Sequence, residues 1–214
     1  MEDARSYLES TAPAAEALFK TLNDYGCTKM RALAEVMMIR TREGHEAFKR
    51  DFSATDIARE VISGSILQLA YFGIKQFGVF KGKSSGALHF EAEMNRLLEE
   101  CSKPRLNGKF VLPEDFCVGR DIGDLPIGMI VYAGRNQYNH HDAKRLTPVN
   151  EVVFNYLHQL WPQPDNGRSF NIYDDNNFYC WSVLCALGWV ADEKKNGYLR
   201  FKKDLIDIMQ IDAH

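Results

Sequence analysis

Apolar residues along the first two-thirds of the chain recur at helical spacing. From Ala12 to about Arg40, the positions Leu18, Leu22, Tyr25, Met30, Leu33 and Met37 follow one another at steps of three to five. This is the stripe of one long amphipathic helix, or of two with a break near Gly26, closed by Gly44. Ser53-Ala54-Thr55-Asp56 reads as a helix start, with an N-cap hydroxyl and an acid in the first turn; Ile57, Val61, Ile66, Leu69, Phe72 and Phe77 continue it. After the glycine- and lysine-rich connection 78–86, Leu88, Phe90, Met94, Leu97 and Leu98 restore the helical period, which predicts a third helix over Ala87–Cys101.

From Lys103 to Gly123 the helical period disappears among Pro104, Gly108, Pro113 and Gly119, so this reads as a long connection with a short strand at Lys109–Leu112. Pro126 then opens an almost wholly apolar helix, Ile127 to Ala133, whose small residues Gly128, Ala133 and Gly134 suit close helix approach. That segment fits either a monomer core or a dimer seam. Val149–Trp161 follows as another helix, with Val152, Val153, Tyr156, Leu157 and Leu160 on one face.

The polar run Pro162–Gly167 marks a boundary. Beyond it, Ser169–Tyr173 alternates like a strand, Asp175 can cap a helix over Phe178–Leu187, Asn196-Gly197 reads as a hairpin turn before a strand at Tyr198–Phe201, and a last helical turn covers Lys203–Met209. The expected architecture is mainly α. It comprises a bundle of four to five helices over residues 1–161, a linker at 162–167, and a small α+β appendage at 168–214 that packs on the bundle because it is too small to fold alone.

Composition narrows the functional classes. With 26 Lys and Arg against 29 Asp and Glu, the formal net charge of -3 argues against a protein that coats nucleic acid along a broad basic face. The appendage carries Arg168, Lys194, Lys195, Arg200, Lys202 and Lys203 beside several acids, so it has no basic stripe either. The start Met1-Glu2-Asp3-Ala4 is acidic where a signal peptide is basic, and no apolar run approaches a membrane span; a cytoplasmic protein is expected. Five cysteines without any C-x-x-C pair form neither a disulfide framework nor a zinc knuckle. Gly82-Lys83-Ser84 has the tail of a phosphate-binding loop but lacks the strand such a loop follows. No cofactor or metal is expected.

The most polar cluster of the chain comes directly after the apolar helix, at Arg135-Asn136-Gln137-Tyr138-Asn139-His140-His141-Asp142. A ribonuclease that works without metal must remove a proton from a ribose 2′-OH, stabilise charge on phosphorus and protonate the leaving 5′ oxygen. Arginine grips phosphate with a planar, permanently charged fork, and histidine exchanges protons near neutral pH. On a continuing helix Asn136 and His140 sit four residues apart on one face, where the amide can orient the imidazole. Set against this is a structural reading: Arg135 and His140 as cations at a helix C-terminus, with Asn139 as its cap.

The pattern Arg135-Asn136-x-x-x-His140 resembles the signature of the HEPN superfamily (higher eukaryotes and prokaryotes nucleotide-binding), and the order of helices over residues 12–161 agrees with that family's bundle. The resemblance implies a homodimeric, metal-independent endoribonuclease with a site shared between two chains. Arg135 would hold the phosphate, His140 would act as acid or base, and Asn136 would position it; His141 is a substitute for His140 and Tyr138 an accessory residue. It also implies RNA as substrate, an antitoxin or regulatory protein as a further partner, and a role in toxin–antitoxin or antiphage systems. The alternative is a catalytically inactive module of the same fold that binds a nucleotide or a protein.

Overall fold

A computed structural model describes residues 3–36, 42–100, 110–140, 146–162, 169–170, 179–190 and 196–211, without the side chains of 26–36, 42–52 and 97–100. Among the described residues there are seven α-helices: α1 (Ala4–Val36), α2 (Arg42–Phe77), α3 (Ser85–Glu100), α4 (Ile127–Asn139), α5 (Pro148–Leu160), α6 (Cys180–Leu187) and α7 (Gly197–Met209). A single 3-10 turn, Glu114–Phe116, and a two-residue antiparallel pairing of β1 (Asp121–Ile122) with β2 (Leu125–Pro126) precede α4. The expectation of a mainly α bundle holds.

One hydrophobic cluster spans the molecule. Ala15, Phe19 and Leu22 of α1 and Ile66, Leu67, Ala70 and Ile74 of α2 share it with Met129, Ile130 and Ala133 of α4 and with Val153, Phe154 and Leu157 of α5. Val183, Leu184 and Leu187 of α6 and Phe201, Leu205 and Ile208 of α7 belong to the same cluster. Each of the Leu, Ile, Val, Phe and Met side chains among them contributes about 1.5–3 kcal/mol on burial, so α6 and α7 are tied into the core of α1, α2 and α4. Helices meet closely at Gly134, where a Cβ would lie 2.9 Å from Leu67 Cδ1 and 3.0 Å from Val183 Cγ1.

Polar ties also join the C-terminal helices to the rest, among them a backbone bond from the Val79 N–H to the Ile208 carbonyl at 3.1 Å. Asp204, 3% exposed, accepts both arms of the Arg120 fork at 3.1 and 3.0 Å and the Trp189 indole N–H at 2.8 Å, while Arg120 also donates to the Leu187 carbonyl. Helix α6 has no capping side chain of its own at its N-terminus. Glu60 of α2 supplies one from 121 residues away, accepting from the Trp181 backbone N–H at 3.0 Å. Burial raises the Glu60 carboxyl above its ordinary pKa, partly opposed by that hydrogen bond and by Arg59.

Several expectations change. Helix α1 begins at Ala4 and passes Pro13 and Gly26 without interruption, and α2 begins at Arg42, so Gly44 and the supposed cap at Ser53 both lie inside it. Helices α1 and α2 lie against each other, and tertiary contact of this kind overrides local stop signals. The supposed strand at 109–112 is irregular over Phe110–Leu112. There the Asn95 carboxamide bonds both the Phe110 N–H and its carbonyl, at 2.7 and 2.9 Å, taking the place of a partner strand.

The C-terminal region shows no strand among its described residues. Ser169 and Phe170 are irregular, 171–178 with Asp175 lie outside the described residues, and Tyr198–Phe201 is helical. Asn196 is the N-cap of α7, its side chain accepting from the Leu199 N–H at 3.3 Å, not the first residue of a hairpin turn. The β element of the fold sits at 121–126, ahead of α4. The boundary at 162–167 lies mostly outside the described residues.

Candidate functional site

The Arg135 cluster occupies the C-terminal end of α4, where the helix dipole favours cations. The apolar stretch ahead of it is monomer core: Ile127, Met129, Ile130, Val131 and Ala133 are at most 1% exposed. A dimer seam along that stretch is therefore excluded, because its side chains are already spent on α2, α5 and α6.

Arg135 is half-buried and turned towards α2. Its Nε donates to Gln68 Oε1 at 3.2 Å, its Nη1 donates to Asn136 Oδ1 at 3.3 Å, and its guanidinium carbon stands 4.3 Å from the centre of the Tyr71 ring. The Asn139 carboxamide lies against the same guanidinium. With its oxygen facing the cation it accepts from all three nitrogens at 3.0–3.2 Å, an orientation favoured because an amide N–H there would point at a positive donor. With its oxygen turned to Gln68 instead, it accepts from the Gln68 Nε2 at 2.5 Å. Tyr71 is held in turn by stacking on Phe116 with ring centres 5.0 Å apart.

The partners of Arg135 are thus neutral amides and a ring. Arg59, Arg96, Arg120 and Arg200 each meet a carboxylate, of Asp56, Glu93, Asp204 and Asp204 respectively. No carboxylate among the described residues pairs with Arg135, so its cradle fixes the guanidinium without neutralising it.

The remaining residues of the motif fare differently. Asn136 gives its oxygen to Arg135, so the expected Asn136–His140 side-chain bond is not formed; the two meet through the His140 backbone N–H, which donates to the Asn136 and Gln137 carbonyls at 3.2 Å. His140, with Asn139 the last helical residue, is itself the C-cap of α4. Its imidazole is exposed and makes no hydrogen bond to a described residue. Tyr138 turns inward, its ring lying where a side chain on Gly64 of α2 would be. His141 lies outside the described residues, as do Lys144 and Arg145.

Sequence reasoning missed Gln68 and Tyr71, which complete the cradle from 67 and 64 positions upstream. The one local trace was Gly64, a glycine inside a helical stripe one turn before Gln68. Elsewhere, a cleft of about 300 Å³ lies at the opposite end of α4, lined by Lys81, Ser84, Cys117, Arg120, Asp121 and Asp207 among others. Burial there pushes the Cys117 thiol up to about 11, which makes it an inert thiol at neutral pH. Among the described residues no three His, Cys, Asp or Glu side chains form a metal set, and no helix is long and apolar enough to cross a membrane. Comparisons with protein-family models, curated proteins and solved structures return no match to this chain.

Proposed function

We infer that the C-terminal end of α4 is half of a metal-independent endoribonuclease site of the HEPN kind, completed by a second copy of the chain, with RNA as substrate and a toxin or antiphage-defence setting. The observation that carries this reading is the state of Arg135: fixed by Gln68, Asn136, Asn139 and Tyr71, yet without a carboxylate among the described residues. A preorganised, uncompensated cation is what a scissile phosphate needs. In the reaction the 2′ oxygen attacks phosphorus as its proton passes to one imidazole, the P–O5′ bond breaks, and the leaving oxygen takes a proton from a second imidazole. The products are a 2′,3′-cyclic phosphate and a 5′-OH. One His140 per chain supplies one of these two groups, hence the second copy.

Asn136 takes a different role from the one its spacing suggested. Its oxygen positions the Arg135 fork, and the orientation of His140 is left to the partner chain or the substrate. Exposed Ile57 and Val61 on α2, on the helix face that leads to Gln68, support an apposition of two chains beside the cradle. An acidic protein can act on RNA this way because two chains concentrate a few cations in one cleft.

The His140 imidazole, which has no partner among the described residues, favours a second reading, a catalytically silent module of the same fold whose arginine cradle binds an anionic group. Incubation of purified protein with RNA in EDTA separates the two. Cutting by wild type that His140→Ala abolishes supports the ribonuclease; retention of RNA without cutting at any protein concentration supports the silent module.

A further inference from the structure

The ring beneath Arg135 has a neighbour that the core does not use. Phe72 follows Tyr71 on α2 and packs edge-on against it, ring centres 5.8 Å apart at 83°. Its side chain is 54% exposed, the only phenylalanine above half-exposure among the described residues. Guanidinium, Tyr71 ring and Phe72 ring therefore run outward in sequence, from a fixed cation to an open aromatic face, with steps of 4.3 and 5.8 Å. Tyr71 is braced from within by Phe116, so the arrangement is rigid up to Phe72 itself.

We propose that Phe72 is a stacking platform for an unpaired RNA base adjacent to the phosphate held by Arg135, and that the site accordingly selects single-stranded over duplex RNA. The proposal rests on the ribonuclease reading for the phosphate but makes a separate claim about binding. Every base has a π-face, so stacking adds affinity without a broad positive surface, which suits a chain whose net charge is -3. A base in a duplex is already stacked on its neighbours and cannot lie on a protein ring unless it is extruded. Charge complementarity argues for nucleic acid as the occupant: Arg135, on the far side of the Tyr71 ring from Phe72, meets no carboxylate among the described residues, and a nucleic acid carries a phosphate beside each base.

The test measures affinity of the full-length chain for a mixed-sequence single-stranded RNA oligonucleotide and for the same sequence as a duplex, in EDTA. It compares Phe72, Phe72→Trp, Phe72→Leu and Phe72→Ala, each in the wild-type and in the His140→Ala background. Stacking predicts that Phe72→Ala and Phe72→Leu weaken single-strand binding by about 5- to 150-fold, that Phe72→Trp restores it, and that duplex binding is unchanged. If single-strand binding follows that order while wild type cuts nothing, the platform stands and the ribonuclease reading falls. If wild type cuts RNA and the three Phe72 variants bind it as tightly as the native residue does, the platform falls and the ribonuclease stands. Absence of RNA binding overturns the platform, and so does a Phe72→Ala variant that changes oligomeric mass while binding RNA as before, since Phe72 would then be a contact between copies.

Discussion

Replacing Gly64 by alanine should destabilise the protein in one background and stabilise it in another. A Cβ at Gly64 would stand 2.6 Å from Tyr138 Cγ and closer still to two further ring atoms, where carbon contacts normally lie at about 3.5–4.0 Å. Cγ is the root of the ring, so rotation about the Cβ–Cγ bond cannot clear it. Either the tyrosine changes rotamer or α4 moves off α2, and overpacking of this kind costs about 1–3 kcal/mol. Against that, alanine is a better helix residue than glycine by roughly 0.5–1 kcal/mol. The net expectation is a loss of about 1–2 kcal/mol for Gly64→Ala in the native sequence, or about 2–8 °C in Tm at this chain length. In a Tyr138→Ala background the ring is gone, and Gly64→Ala should gain about 0.5–1 kcal/mol. Urea unfolding of the four members of this cycle, followed by circular dichroism, reads the coupling. Because Gly64 lies one turn before Gln68, the single variant should also disturb the Arg135 cradle. Additive effects, within about 0.5 kcal/mol, would show that Tyr138 does not pack on Gly64 and would refute the α2–α4 geometry on which the cradle depends.

Asp204→Ala removes a buried carboxylate from Arg120 and Trp189; since Arg120 is about one-third exposed, the loss should fall at the lower end for broken buried pairs, about 3 kcal/mol, measured by urea unfolding. Glu60→Gln should flatten the pH dependence of stability. Because the native pKa of Glu60 is raised, its contribution is fully present below the ordinary glutamate value of 4.5 and is lost as pH rises through the native value. Wild type should therefore weaken relative to Glu60→Gln as pH rises from 4.5 through the native value, and a difference that does not change with pH would count against the buried cap. Arg135→Lys keeps the charge but loses the planar fork and its bonds to Gln68 and Asn136, so RNA cutting should fall by at least about tenfold; an unaltered rate would mean that geometry at Arg135 is irrelevant.

Much of the helical layout was legible because apolar spacing is a local signal. The helix expected over Val149–Trp161 appears as α5, Pro148–Leu160, with the Thr147 hydroxyl accepting from the Asn150 N–H and proline in the first turn. The same local logic failed where one motif has two uses. Asn-Gly makes hairpin turns, but at 196–197 it starts a helix, and the deciding evidence was downstream: Tyr198, Phe201, Leu205 and Ile208 recur at helical spacing and bury one face of α7. The arginine of the site was legible as a residue type in a pattern, but its surroundings were not. Gln68 and Tyr71 reach Arg135 only through the packing of α2 on α4, and that same packing draws Asn136 away from His140. Glu60 capping α6 and Asp204 binding Arg120 are long-range in the same sense, joining residues 121 and 84 positions apart.

The central claim is a shared, metal-free site built on Arg135 and His140, and the chemistry of the cut ends tests it most directly. RNA incubated with the protein in EDTA should yield fragments ending in 2′,3′-cyclic phosphate and beginning with 5′-OH, with the rate rising steeply with protein concentration through the dimerisation range, and both Arg135→Ala and His140→Ala should abolish the products. Intact RNA throughout, fragments with 5′-phosphate ends, or undiminished cutting by either variant would contradict the account.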